Sequence, residues 1–284
     1  MRKEESVMEK QQLDNLERFL NILGLDEEPM GIFYTDEKPA EGFTPRPIDL
    51  PTREKEMRNE IDWGQVFGKF SCVMGHVWRA RKKKATAWFS AENFGCPGGA
   101  FWLGFNKPQA ETIIKYVSTG LPNWTDGELY CDSPDELRRV FQDVDPRPAP
   151  AKYCVVKPVS SFVDHEYPEI VIFFVRPESL CGLHQLAFFV TNDPEAVASP
   201  WSAGCGSIVI WPLHYLSRGV NKAVLGGWDP SARKFFKTDE LTFTVPFEMF
   251  GQMLGCFDQS FLGTKTWDNV RKKIERSKKA WGEK

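Results

Sequence analysis

No apolar run in the sequence approaches the roughly 18 uninterrupted residues a membrane helix needs, and residues 1–20 scatter charge throughout. A signal peptide and a membrane partner are therefore not expected, and the expected compartment is the cytoplasm. An excess of one charge is also missing. Lys and Arg number 36 against 39 Asp and Glu, for a formal net charge of -3, so there is no bulk positive field to hold nucleic acid. Histidine is scarce, at four residues. There is no phosphate-binding glycine loop followed by lysine, no dinucleotide fingerprint and no serine nucleophile elbow. These absences argue against an NTPase, a common nicotinamide enzyme and an α/β-hydrolase. Although cysteine is plentiful, no C-x-x-C pair of the kind that marks a zinc or cluster site occurs.

The 284 residues are 42% hydrophobic and 26% charged, a globular composition with material for one large domain or two smaller ones. Leu13, Leu16, Phe19, Leu20 and Leu23 have helical spacing, and Gly24 stops that helix. EEPMGIFYTDE reads as a strand, and 38–60 as a Pro- and charge-rich excursion. Residues 61–84 read as one helix ending in the basic turn RARKKK, where cations suit a helix C-terminus. ATAWFSAEN reads as a strand, FGCPGGAFWLGF as a tight turn and KPQAETIIKYVSTG as a helix with a Gly stop. KYCVVKPVS and YPEIVIFFVRPESL read as strands, CGLHQLAFFVTN as a helix and SAGCGSIVIWPLHYLS as a Gly-Cys turn entering an apolar element. DELTFTVPFEMFGQML is a strand followed by a helix, and 263–284 a basic, solvated helix.

The two halves share an order of features. Cys72 to Cys96 and Cys181 to Cys205 span equal distances, Pro29 leads MGIFY as Pro168 leads EIVIFF, and CVVKPVSSFV parallels FTVPFEMFGQML. The expected fold class is α+β, with two related units packed about a pseudo-twofold axis into one compact domain. The units are an N-terminal helix at 1–26, a first α+β unit at 27–165, a second at 166–262 and a basic helix at 263–284. Ligand sites commonly form where such units meet.

Seven cysteines without an export signal argue against a disulfide framework. Cys131, Cys154 and Cys256 read as structural thiols. In FGCPGGAF, Gly95, Gly98 and Gly99 permit positive φ and close approach of backbone to a ligand around Cys96, and Gly204 and Gly206 flank Cys205 in a comparable way. Free N–H groups in such turns support a thiolate, which suits soft metals and iron–sulfur clusters. A glycine turn with one incidental thiol is the bland alternative for each. Cys72, Cys96 and Cys205 as metal ligands leave one position open for substrate; Cys181, if it joins, closes the site as four thiolates. His76, His184 and His214 are candidate ligands or proton donors, or ordinary hydrogen-bonded histidines. Glu92 is a candidate general acid or base, or a partner for the turn N–H groups. The ten tryptophans are core residues by default, and some of them would line a cavity for a planar ligand.

The segments PMGIFY, FSCVMGHVWRARKKKATAWFSAENFGCPGGAFWLGF, YPEIVIFFVRPESL, SAGCGSIVIWP and DELTFTVPFEMF together resemble an uncharacterised prokaryotic family, the domain of unknown function numbered one hundred and sixty-nine. The resemblance runs from about Leu13 to Leu254. It implies Cys72, Cys96 and Cys205 as motif cysteines and, through a family commonest in anaerobes, an oxygen-sensitive metal site. It brings no activity and assigns nothing to Cys131, Cys154, Cys181 or Cys256. The expected function is iron–sulfur or other thiolate-metal chemistry, of oxidoreductase or hydro-lyase type, on a small organic molecule. Cys72, Cys96 and Cys205 hold the metal in that reading, and Glu92 and His76 handle protons. The rivals are metal-free catalysis by Cys96 and non-enzymatic binding of a small molecule. Homo-oligomerisation is left open.

Overall fold

The computed structural model describes residues 10–48, 51–105, 111–144, 146–163 and 165–282. Residues 1–9 of the expected N-terminal helix and 107–110 of the segment KPQAETIIKYVSTG lie outside them.

Seven strands, β1 (Met30–Thr35), β2 (Ala87–Ser90), β3 (Tyr153–Pro158), β4 (Ile170–Val175), β5 (Val197–Ala198), β6 (Ala223–Gly226) and β7 (Leu241–Pro246), form one sheet in the order β2-β3-β1-β4-β7-β6-β5. Every pairing is antiparallel except β5 with β6. Eleven α-helices are present among the described residues: α1 (Lys10–Leu23), α2 (Arg53–Met57), α3 (Trp63–Gly68), α4 (Val73–Lys83), α5 (Pro97–Trp102), α6 (Glu111–Val117), α7 (Pro134–Val144), α8 (Pro177–Thr191), α9 (Trp211–Ser217), α10 (Phe247–Cys256) and α11 (Lys265–Trp281). The architecture is thus mixed α+β.

The sheet is covered on both faces, and the near-continuous apolar strands follow from that. Along β4, Val171, Phe173 and Val175 join one core with Leu16 and Phe19 of α1, Leu183 and Leu186 of α8, and Met249, Phe250 and Met253 of α10. Ile170 and Ile172 face the other way, into a core with Met30, Ile32, Cys154 and Val156, covered by Val73, Met74 and Val77 of α4, Phe101 and Trp102 of α5, and Ile208 to Ile210 ahead of α9. Each fully buried Phe or Ile contributes roughly 1.5–3 kcal/mol of transfer free energy. β2 alternates between this second core, through Ala87 and Phe89, and a smaller cluster that holds Trp88, Phe33 and Phe162.

Two local readings need correction. Residues 61–84 are two helices rather than one: α3 ends on a cap at Lys69, and Cys72 is the extended residue that precedes α4. FGCPGGAF is not a turn of left-handed glycines. Gly95 alone has positive φ, at 83°, and Gly98 and Gly99 lie inside α5. Pro97 takes the first helical position, where its missing N–H costs nothing. Gly204, Cys205 and Gly206 are helical too, leading into a π-helical turn at Gly206–Ile210 that runs straight into α9. The space left by their absent side chains, and not positive φ, explains the glycines at 99, 204 and 206, whereas Gly98 has room for a side chain.

Candidate functional site

Cys72 and Cys96 occupy the same local position, the extended residue immediately before a helix. The two helix starts are bound together one residue upstream, where the Ser71 N–H donates to the Gly95 carbonyl at 2.8 Å. A Cβ on Gly95 would lie 2.4 Å from the Ser71 oxygen, and one on Gly99 would lie 2.4 Å from the Phe94 oxygen and 2.8 Å from Val73 Cγ2. Glycine is required at both positions so that α4 and α5 can begin side by side. The Gly99 N–H donates to Cys96 Sγ at 3.2 Å, so the thiol caps its own helix.

Cys205 is brought to the same place by close packing. A Cβ on Gly204 would lie 2.9 Å from Met74 Cγ and 3.0 Å from Ala232 Cβ, and one on Gly206 would lie 2.8 Å from Trp102 Cε3. The start of the helix that carries Cys205 is thereby pressed onto α4 through Met74 and onto α5 through Trp102. Three helix N-termini converge, each presenting a cysteine, and each carries the partial positive charge of unpaired N–H groups. The π-turn directly after Cys205 is a widening of the kind that recurs at functional sites.

The three thiols sense one another electrostatically. Burial pushes Cys96 up to about 12, the nearby Cys72 adds to this, and the Gly99 and Gly98 N–H groups oppose it. Cys205 is raised well above the usual thiol range by burial, then by Cys96, Cys72 and Asp229. Cys72 is raised by burial, with partial relief from the Met74 and Gly75 N–H groups. All three sulfurs are thus protonated at neutral pH as the chain stands. Among the described residues no group of three or more His, Cys, Asp or Glu side chains is arranged to hold a metal ion.

A pair of carboxylates adjoins the thiols. Asp229 Oδ2 accepts from the Gly204 N–H at 2.8 Å, and its Oδ1 accepts from the Ser231 N–H and hydroxyl at 2.9 and 2.8 Å and from the Tyr130 hydroxyl at 3.4 Å. Burial and the Asp229 charge hold Glu128 up at about 7, so it keeps its proton far above the usual carboxylate range. The same burial, with Glu128 and Asp229, pushes the Tyr130 phenol up to about 12. None of Asp229, Glu128 and Tyr130 was singled out from the sequence. The one signal was WDPS, an Asp–Pro pair that reads as a helix cap and does cap the 3-10 turn at Pro230–Phe235. Asp229 also lines a cleft of about 350 Å³, together with Tyr130, Trp201, Ser202 and Trp228 among others.

The other expected site residues are placed elsewhere. Cys181 is exposed in the second turn of α8, on the helix layer across the sheet from the three thiols, and His184 is exposed on the same helix. Cys181 therefore neither opens a helix nor reaches the cluster. His76 is buried on α4, with Nε2 3.2 Å from the Ser71 hydroxyl, Nδ1 without a partner, and its basicity lowered to about 4 by burial and by Arg79. Glu92 is exposed beyond the end of β2. His214 donates through Nδ1 to the Val144 carbonyl at 3.1 Å. Cys154 is enclosed in β3 beside Tyr34 and pushed up to about 12 by burial, in keeping with a structural thiol.

Fold and site together define a mixed α+β domain in which Cys72, Cys96 and Cys205 stand at or beside three helix starts packed against one another on one face of the sheet. The family model described as Uncharacterised ArCR, DUF169, matches residues 18–255, and the chain belongs to that family. No curated protein and no solved structure matches it.

Proposed function

We propose that Cys72, Cys96 and Cys205 are the ligands of an iron–sulfur cluster or another soft-metal centre that acts on a small organic molecule held in the adjoining cleft. The observation that carries this reading is the approach of three helix starts that each carry a cysteine, close enough that Cys72 opposes the ionisation of Cys96 and both oppose that of Cys205. The thiols would repel one another if ionised, and a bound metal would reverse the sign of that interaction. The donor set fits: soft sulfur ligands, N–H donors at Gly98, Gly99, Met74 and Gly75 to support charge on sulfur, and a protein wall in place of a fourth thiol. A cluster suits this spread of thiols better than one ion, because its thiolates sit on different irons. When bound, such a centre supplies electron transfer or Lewis-acid activation of substrate.

The chain's own groups supply the rest. Glu128 retains a transferable proton near neutral pH, and Ser231, which interacts with both carboxyl groups, links it to Asp229. Asp229 fixes the helix start that carries Cys205 through the Gly204 N–H. This gives the proton-handling role to Glu128 rather than to Glu92 or His76. Metal-free nucleophilic catalysis is the less favoured reading, because Cys96 is pushed up to about 12 and its sulfur is bonded to the Gly99 N–H rather than to a histidine base.

We also propose that the chain contains an internal duplication. The order β2-β3-β1 on one side of the β1–β4 pair reads as β6-β7-β4 on the other. In that reading α4, which precedes β2, corresponds to the helix that precedes β6. Cys72 then corresponds to Cys205, not to Cys181.

The test is purification without oxygen, followed by iron, zinc and acid-labile sulfide analysis and a visible spectrum. Stoichiometric metal with thiolate-to-metal absorption that is lost in Cys72→Ser, Cys96→Ser and Cys205→Ser is expected. A colourless protein with no metal in stoichiometric amount overturns the reading.

A further inference from the structure

The cleft beside Asp229 has walls of unusual chemistry. Three aromatic side chains, Tyr130, Trp201 and Trp228, line it, and Asp229 is the one charged residue on its wall. Among the described lining residues there is no Lys, Arg or His. Arg233 meets a wall residue through the Gly227 carbonyl, and its guanidinium is committed to that carbonyl and to those of Lys237, Thr238 and Glu240. At about 350 Å³ the cleft is sized for a small molecule and not for a nucleotide or a peptide. Its large indole rings are held in place rather than left free: the Trp228 Nε1–H donates to the Ser199 hydroxyl at 2.8 Å, and the Trp201 ring stands edge-on to Trp102 with centroids 6.5 Å apart. Trp201 and Trp228 remain 43% and 53% exposed, an unfavourable way to leave indole surface unless something covers it.

Aromatic faces carry negative charge density, and a carboxylate adds a full negative charge at the base. An anion would meet only repulsion here, and a neutral apolar molecule would gain nothing from Asp229. We propose that the cleft binds a small organic cation, an amine or quaternary ammonium, with its charged head against Trp201, Trp228 and Tyr130 and over Asp229. This rests on the preceding reading only in taking the cleft as the substrate site, and it names the substrate class for that site. Because the Gly204 N–H ties Asp229 to the helix start that bears Cys205, a bound cation would lie next to the thiol centre.

The experiment uses the full chain without metal, so that a failed metal centre and a failed cation site give separate results. Tryptophan fluorescence and calorimetry would follow titrations with choline, with its uncharged carbon isostere 3,3-dimethylbutan-1-ol, and with acetate. Choline is expected to bind about tenfold or more tightly than the isostere, and acetate not to bind. Trp228 is half-exposed, so its replacement spares the fold. Trp228→Leu, which keeps apolar bulk and loses the π face, is expected to weaken choline at least about threefold, and Trp228→Phe to stay within about twofold. Equal binding of choline and its isostere, no choline binding, preference for acetate, or equal losses in the Leu and Phe variants would each overturn the proposal.

Discussion

The Ser71 N–H and the Gly95 carbonyl are joined at 2.8 Å, and this single bond between the residues preceding Cys72 and Cys96 sets two helix starts side by side. It works only because Gly95 carries no side chain and adopts a φ of 83°.

Gly95→Ala should therefore be costly, since it adds left-handed strain to a contact of 2.4 Å with the Ser71 oxygen. A loss of at least about 2 kcal/mol in urea denaturation is expected. Gly98→Ala, whose new methyl would meet nothing closer than 3.8 Å, should stay within about 0.5 kcal/mol of the parent. Equal effects at the two positions would contradict the account of this junction.

Metal loading should release protons. Cys72, Cys96 and Cys205 are all raised by burial and so start protonated at neutral pH. Cobalt(II) titration in weak buffer should show about three protons released per centre, together with sulfur-to-cobalt absorption. Both signals should vanish in Cys96→Ser and persist in Cys181→Ser, because Cys181 lies across the sheet. Persistence in the first variant or loss in the second would refute the assignment.

One buried group, His76, and one half-buried group, Glu128, give the pH dependence of stability opposite slopes. Glu128 is raised in the fold to about 7, so the fold binds its proton more tightly than the unfolded chain does, and stability falls as pH rises from about 4.5 to about 7. His76 is lowered to about 4, so stability falls as pH drops from about 6.5 towards 4. The slopes oppose one another between those limits. Glu128→Gln should leave a stability that rises with pH through that window, and His76→Asn one that falls. Each change is of order 1 kcal/mol after allowance for solvent screening, measured by denaturation at pH 4.5, 5.5 and 7.

Arg81 and Glu240 form a two-armed ion pair at 2.7 and 2.5 Å that is almost wholly buried, with Glu27 as a further partner of Arg81. Glu240→Ala should cost about 3–5 kcal/mol, because a buried guanidinium loses its counter-charge. Metal stoichiometry in the surviving folded protein should not change.

Much of this was legible in the residues alone. The spacing of Leu13, Leu16, Phe19, Leu20 and Leu23 matches α1, and the apolar runs at 153–158, 170–175 and 241–246 are strands buried on both faces. Ser133 and Pro134, residue types that suit a helix cap and first turn, open α7, with the Ser133 hydroxyl accepting from the Glu136 N–H at 3.2 Å. The glycines about Cys96 and Cys205 were read as allowing positive φ and approach to a ligand; in the fold only Gly95 has positive φ, and Gly99, Gly204 and Gly206 let helices approach one another. A glycine pressed against Val73 and a glycine in a left-handed turn look identical in sequence, since both need only the absence of Cβ.

Chain chemistry by itself determined the long helices and the buried strands, since those outcomes depend on neighbours a few residues apart, but not the breaks at Cys72 and Cys96 or the helix start at Cys205. Tertiary structure alone decided that the helix starts bearing Cys72, Cys96 and Cys205 pack against one another, that Cys181 is left on the opposite helix layer, and that Asp229 bonds to the helix start beside Cys205. Those outcomes depend on which face of the sheet each helix covers. That choice is made by packing between residues far apart in the chain, and no local pattern encodes it.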